Sequence, residues 1–167
     1  MEEKKLNEAY EKTYFKMLNF VSYRLRSEKE VLDRLEKYLS KFSLPKDSSD
    51  SVKSKVLSKL EDDGYLNDVK FASSYVKGLI FSNKPVSNMK IFQFLLKRGV
   101  SKEVIMNVLS SDLPSDFLLK NALKEGEKKK NSLRDVNPYT LKRKLLDYLY
   151  KKGYPSEVIH SVIDSLL

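Results

Sequence analysis

The sequence predicts an all-α fold: three tandem three-helix repeats forming an elongated, curved body. Three observations carry that expectation. Apolar residues recur three and four positions apart along almost the whole chain, the spacing that lines one helix face, and no segment alternates with period two for long. The 5 glycines and 5 prolines fall singly between these stretches, as punctuation between helices. Finally, Leu95-Leu96-Lys97-Arg98-Gly99-Val100-Ser101-Lys102-Glu103-Val104-Ile105 runs parallel to Leu149-Tyr150-Lys151-Lys152-Gly153-Tyr154-Pro155-Ser156-Glu157-Val158-Ile159 at a constant offset of 54.

Taken in order, a first helix over residues 4 to 24 places Leu6, Tyr10, Met17 and Val21 at helical spacings. Ser27 and Glu30 form an S-x-x-E capping box, in which hydroxyl and carboxylate each satisfy an orphan backbone N–H of a second helix carrying Val31, Leu32, Leu35, Leu39 and Phe42. Ser43 to Ser51, with Pro45, Asp47 and Asp50, is predicted as the longest loop. A third helix with Val52, Val56, Leu57 and Leu60 stops at Gly64, where a left-handed cap meets no side-chain clash. Asn67 or Asp68 caps a fourth helix bearing Val69, Ala72, Val76 and Ile80, and Pro85 ends that region.

Ser87 caps a fifth helix (Ile91, Phe92, Leu95, Leu96) running to Gly99, and Ser101 a sixth (Val104, Ile105, Val108, Leu109) closed by Pro114. Phe117, Leu118 and Ala122 begin a seventh that runs into Lys128-Lys129-Lys130. Asn137 and Pro138 supply the cap and first position of an eighth (Leu141, Leu145, Leu149), which Gly153 and Pro155 separate from a ninth with Val158, Ile159, Val162, Ile163 and Leu166.

In the repeat, Ile91 answers Leu145, Val108 answers Val162 and Leu109 answers Ile163, so apolar face, glycine hinge, basic pair and following glutamate recur together. A looser copy in the first third matches Val52, Val56 and Leu57 to Val104, Val108 and Leu109 at an offset of 52, with the Ser43 to Ser51 loop in place of the hinge. The expected divisions are residues 1–66 (N-terminal helix and first repeat), 67–113 (second) and 114–167 (third). Such small units share apolar surface with their neighbours and stack with a concave side suited to elongated partners.

Composition narrows the function. Lys and Arg number 32 against 23 Asp and Glu, a net charge of +9, which attracts polyanions: nucleic acid, an acidic protein face or an anionic membrane. An AT-rich genome would explain the abundance of Lys, Asn and Ser as well as any function would. No run of 18 apolar residues exists, and Met1-Glu2-Glu3-Lys4-Lys5 lacks the apolar core of a signal peptide, so no membrane span is expected and the cytoplasm is the predicted location.

The chain has no cysteine, which excludes disulfides, thiolate nucleophiles and thiolate metal sites. His160, the only histidine, reads as a boundary position on a packed helix; with one histidine, neither metal nor cofactor is expected. A Gly-rich phosphate loop and a Ser-His-Asp constellation are also missing. The chain therefore reads as a binding protein rather than an enzyme.

Tyr23-Arg24-Leu25-Arg26-Ser27-Glu28-Lys29-Glu30-Val31-Leu32, then Leu60-Glu61-Asp62-Asp63-Gly64-Tyr65-Leu66-Asn67-Asp68, then Phe71-Ala72 and Tyr75-Val76 resemble the opening two thirds of the RecX family. Lys142-Arg143-Lys144-Leu145-Leu146-Asp147-Tyr148-Leu149 and Lys151-Lys152-Gly153-Tyr154, followed by Glu157-Val158-Ile159, are similar to its closing motif. The resemblance spans about residues 16 to 166. It implies three tandem three-helix repeats in a curved shape and a partner, the RecA–DNA filament, whose recombinase and coprotease activities are modulated, usually downward. Two departures stand out: the Ser-rich loop where the family has a short glycine turn, and an extra charged stretch at the N-terminus.

Candidate contact residues follow. Lys97-Arg98 and Lys151-Lys152 sit at helix C-termini, where positive charge offsets the dipole by about 0.3 to 1 kcal/mol; recurring on one face, they also form a surface for DNA phosphate or an acidic recombinase face. Lys142, Arg143 and Lys144 lie near a helix start, where the dipole disfavours cations, so partner contact explains them better than local stabilisation. Arg24 and Arg26 flank the capping box, as a solvated turn or a contact. Lys128, Lys129 and Lys130 read as a solvated helix end or a phosphate contact.

Glu61, Asp62 and Asp63 crowd a negative helix end, compensated by neighbouring lysines or by a basic patch on a partner. Pointing in different directions, they do not make a metal site. Tyr65, Tyr75, Tyr148 and Tyr154 are assigned to the core rather than to base stacking. The function expected is a monomeric regulator of the RecA filament, and the rival is a basic helical-repeat protein that binds nucleic acid with no recombinase partner.

Overall fold

The computed structural model describes residues 2–133 and 136–167. Among the described residues it contains nine α-helices and no strand: α1 (Glu2–Tyr23), α2 (Glu28–Leu39), α3 (Lys46–Asp62), α4 (Asp68–Ser82), α5 (Asn88–Lys97), α6 (Lys102–Asp112), α7 (Phe117–Ser132), α8 (Pro138–Lys151) and α9 (Ser156–Leu166). Local chemistry sets the boundaries. Ser27 Oγ accepts from the Glu30 N–H and Glu30 Oε2 from the Ser27 N–H, both at 3.2 Å, completing the capping box. Asn137 Oδ1 accepts from the Thr140 N–H at 2.8 Å, with Pro138 at the first helical position. Asn67, not Asp68, caps α4, accepting from the Lys70 N–H at 2.8 Å; Asp68 is the first helical residue and accepts from the Glu28 N–H at 2.9 Å.

The predicted loop from Ser43 to Ser51 is corrected, because α3 already begins at Lys46. Pro45 is its N-cap, with φ −55° and ψ 151°, and the Pro45 carbonyl accepts from the Ser49 N–H at 2.9 Å. Proline fixes φ where a helix entry needs it. Asp47 then favours the positive end of the helix, and the short polar residues that suggested a loop are tolerated in a first turn whose N–H groups lack intrahelical partners.

Two compact units form, one comprising Met1–Phe71 with Arg98–Ser101, the other Ala72–Lys97 with Lys102–Leu167. In the first, α1, α2 and α3 each pack on the other two around Met17, Val21, Val31, Leu35, Leu39, Val52, Val56 and Leu60. Each fully buried Val, Leu or Met side chain contributes roughly 1.5–3 kcal/mol. In the second, α7, α8 and α9 enclose Ala122, Leu145, Leu149, Tyr154, Ile159, Val162 and Ile163, while α5 packs on α6 with Ile91, Leu95, Ile105 and Val108 buried.

The offset of 54 reappears in burial: Ile91 and Leu145, Leu95 and Leu149, Val100 and Tyr154, Ile105 and Ile159, Val108 and Val162 are all core residues. Gly99 and Gly153 hold φ of +86° and +84°. A Cβ on Gly99 would lie 2.6 Å from Lys29 Cβ, and one on Gly153 2.9 Å from Met89 Cβ. Lys29 and Met89 each stand two residues after a helix-capping serine, Ser27 or Ser87.

Candidate functional site

Three of the basic residues singled out in the sequence converge on one carboxylate. Glu30 Oε1 lies 2.9 Å from Arg24 Nη2 and 4.0 Å from Arg26 Nη1, and it also pairs with Arg98 Nη1. The capping box fixes Glu30 at the third position of α2, and the turn after α1 presents Arg24 and Arg26 to it. Arg26 is held further by Phe20: its guanidinium sits 4.1 Å from the ring centroid and its Nε donates to the Phe20 carbonyl at 3.4 Å.

Arg34 lies over the same ring at 5.4 Å. The sequence reading missed it, although its place four residues after Glu30 was a signal. Burial first, then the like charges of Arg24, Arg98 and Arg34, which Glu30 offsets only in part, push Arg26 below the usual arginine range. Burial raises the Glu30 pKa, but hydrogen bonds from Arg24 and the Ser27 N–H and the charges of Arg24 and Arg98 outweigh it, so the net shift is downward.

Lys152, the counterpart of Arg98 in the repeat, is held the same way in the second unit. Its Nζ lies 3.1 Å from Glu125 Oε2, which accepts the Tyr148 hydroxyl at 2.5 Å. The ammonium groups of Lys129 and Lys152 sit 5.4 and 5.0 Å from the Tyr148 ring centroid. Burial raises the Glu125 pKa, but bonds from Tyr148 and Lys152 and the charges of Lys152 and Lys90 bring it below the ordinary value. Glu125 was also missed. Its register with Ala122 and Gly126 on the buried face of α7 was the available signal.

The inner members of the hinge pairs, Arg98 and Lys152, are thus each paired with a carboxylate of their own unit, whereas Lys97 and Lys151 are exposed. Lys130 Nζ donates to the Leu166 carbonyl at 2.5 Å and Lys128 is exposed. Lys142, Arg143 and Lys144 are exposed and, among the described residues, have no ion-pair partner. The dipole argument for these three is corrected: α8 starts at Pro138, so Lys142 is its fifth residue, beyond the first turn over which the dipole acts.

Asp63 pairs with Lys59 at 2.9 Å and accepts the Tyr14 hydroxyl at 2.5 Å, so its compensation is internal, while Glu61 and Asp62 are exposed. Tyr154 is buried, Tyr65 and Tyr148 pack against the cores, and Tyr75 stacks on Phe94 with centroids 4.1 Å apart. His160 is exposed rather than packed, beside Leu146, Asp147 and Tyr150. Among the described residues, no helix is long and apolar enough to cross a membrane.

Residues 116–163 match the family model described as the third three-helix domain of RecX. The chain is 32% identical over 160 residues to the regulatory protein RecX of Bacillus cytotoxicus, covering 96% of this chain and 56% of that protein. It is 34% identical over 158 residues to that of Listeria innocua, covering 95% and 55%. The chain therefore spans little more than half the length of these relatives. Its fold is that of a crystal structure of RecX from Lactobacillus salivarius, with a TM-score of 0.81 at 24% identity over 96% of this chain and 97% of that one. A second crystal structure, of a regulatory protein RecX, gives a TM-score of 0.79 at 23% identity over 95% and 73%. Sequence matches that run through nearly the whole chain, a domain match at its C-terminal end and a common three-helix repeat fold lead to one conclusion: the chain is similar to RecX regulatory proteins over 96% of its length and carries a match to their third three-helix domain.

Proposed function

We propose that this protein binds the RecA–DNA filament and lowers its recombinase and coprotease activity, performing no chemistry itself. The observation that carries the reading is the likeness, over 96% of the chain, to proteins named regulatory protein RecX. Exposed Lys97, Lys128, Lys142, Arg143, Lys144 and Lys151 support it as cations that the fold leaves in solvent. Divisions at 1–66, 67–113 and 114–167 make each repeat one contact unit against a polymer that is itself periodic. On this reading the protein acts in the cytoplasm, as a monomer, without a metal or cofactor.

The test is the ATPase activity of the same organism's RecA on single-stranded DNA, titrated with this protein. Substoichiometric inhibition is the expected result, and unchanged activity with retained binding to bare DNA overturns it. The second reading, direct nucleic-acid binding with no recombinase, is favoured by Arg24, Arg26 and Arg98 gathered at Glu30, with Arg34 over the Phe20 ring beside Arg26. It requires a log–log salt slope near −0.9 per duplex phosphate neutralised, with no salt-resistant component.

A further inference from the structure

We infer that Arg24, Arg26, Arg34 and Arg98 form a binding site for a phosphodiester of single-stranded nucleic acid, and that Glu30 is its built-in competitor. The inference rests on the reading above, that the chain works at a nucleic-acid filament, and deepens it by assigning a ligand and a competing side chain.

Charge count is the first argument. Three guanidinium groups, those of Arg24, Arg26 and Arg98, meet at one carboxylate, Glu30, and a fourth, Arg34, lies over the Phe20 ring that also holds Arg26. A single carboxylate carries one negative charge against the three cations that meet it. The surplus is felt where the cluster is most enclosed: Arg26, whose side chain is only 13% exposed, is depressed by burial and then by the charges of Arg24, Arg98 and Arg34. A second anion would relieve that repulsion, and guanidinium groups match phosphate oxygens in planar, forked geometry.

Preorganisation is the second. Ring contact and the Phe20 carbonyl fix Arg26, and Glu30 is pinned by the Ser27 N–H, so the cations are gathered before a ligand arrives. Arg24 and Arg98 keep 43% and 36% of their side-chain surface, and Arg34 is exposed, so the cluster opens to solvent. Tyr23, 85% exposed and next to Arg24 in the chain, selects nucleic acid over an acidic protein surface: an exposed aromatic beside a phosphate-binding cation offers a base a stacking face.

Glu30 sits where a phosphate would, accepting from the same groups. Binding then requires Arg24 and Arg98 to share their donors between two anions that repel each other, which holds affinity down in the free protein.

Glu30→Gln isolates this effect, because glutamine still completes a capping box while the competing charge is gone. The experiment is fluorescence anisotropy of a labelled single-stranded oligonucleotide with wild-type protein, Glu30→Gln and Arg34→Gln, across a salt series, with circular dichroism as the folding control. Glu30→Gln tightens binding by about threefold or more, and Arg34→Gln weakens it and makes the log–log salt slope shallower by about 0.7, one single-strand phosphate contact. Unchanged or weaker binding by Glu30→Gln, or an unaltered slope for Arg34→Gln, overturns the proposal. So does displacement of the oligonucleotide by poly-L-glutamate at equal charge concentration, which assigns the site to acidic protein surfaces.

The RecA ATPase titration with wild-type protein separates the two failures. Inhibition together with unaltered Glu30→Gln binding removes this site alone. Tightened binding by Glu30→Gln without ATPase inhibition removes the filament reading alone.

Discussion

Ser27 Oγ donates a 2.7 Å hydrogen bond to the carbonyl of Arg98, 71 residues along the chain. The same fully buried hydroxyl accepts from the Glu30 N–H, so one side chain starts α2 and fastens the segment before Gly99. Ser87 repeats the arrangement on Lys152, also at 2.7 Å, while accepting from the Lys90 N–H. Ser27→Ala removes a cap worth about 1 kcal/mol and leaves a shielded carbonyl without its donor, at roughly 1–3 kcal/mol. A loss of about 2 kcal/mol or more is expected, read as a lower urea midpoint at unchanged slope. An unmoved midpoint would show that the bond contributes nothing net.

The hinge glycines differ in what surrounds them, which predicts a ranking. Gly64, Gly99 and Gly153 all have positive φ, so alanine is strained at each by about 1–2 kcal/mol. At Gly64 nothing lies within 4 Å of the added carbon, whereas at Gly99 and Gly153 it strikes Lys29 and Met89 below 3 Å. Gly99→Ala and Gly153→Ala therefore destabilise more than Gly64→Ala, by about 1–3 kcal/mol for the forced overpacking. Thermal unfolding of the three variants checks the order, and equal losses would contradict it.

Acid should weaken the fold through Glu30 and Glu125. Both carboxyls have folded pKa values below the ordinary 4.5, so the folded state binds their protons less readily than the unfolded state does. Their contribution is complete above that value and drains away as pH falls through the folded pKa. Denaturant midpoints measured from neutral pH down to about pH 3 should decline, and Glu125→Gln should start lower at neutral pH and decline less. A variant that keeps the full acid dependence would rule Glu125 out as a source of it.

Charge reversal of Lys142, Arg143 and Lys144 to glutamate should weaken filament binding at least tenfold, about 1.4 kcal/mol, while circular dichroism stays helical. The basis is exposure, with no ion pair to lose among the described residues. Co-sedimentation with RecA filaments is the readout, and wild-type binding would remove the three from the contact surface.

How much was legible differs between scaffold and site. Capping residues Ser27, Ser87 and Asn137 could be read directly, and Asn67 as one of two alternatives with Asp68, because a cap is chemistry between residues three apart. The segment from Ser43 to Ser51 misled for a related reason: proline, serine and aspartate favour a loop and a helix's first turn alike, and only the packing of Val52 and Val56 into the core extends α3 back to Lys46. Of the site, Arg24, Arg26 and Arg98 were visible as separate basic residues, but Glu30 did not announce itself as their common counterion, nor Glu125 as the counterion of Lys152.

By itself the sequence determined helix number and type, the capping boundaries, the glycine hinges and the 54-residue repeat, since these depend on periodicity and on groups a few bonds apart. Only the tertiary structure decided which charges meet. Arg98 reaches Glu30 across 68 residues and Lys152 reaches Glu125 across 27, distances over which no local pattern constrains pairing. Core burial of Val31, Leu35, Leu145 and Leu149 fixes the helices that carry these groups, and the electrostatics follow from that packing.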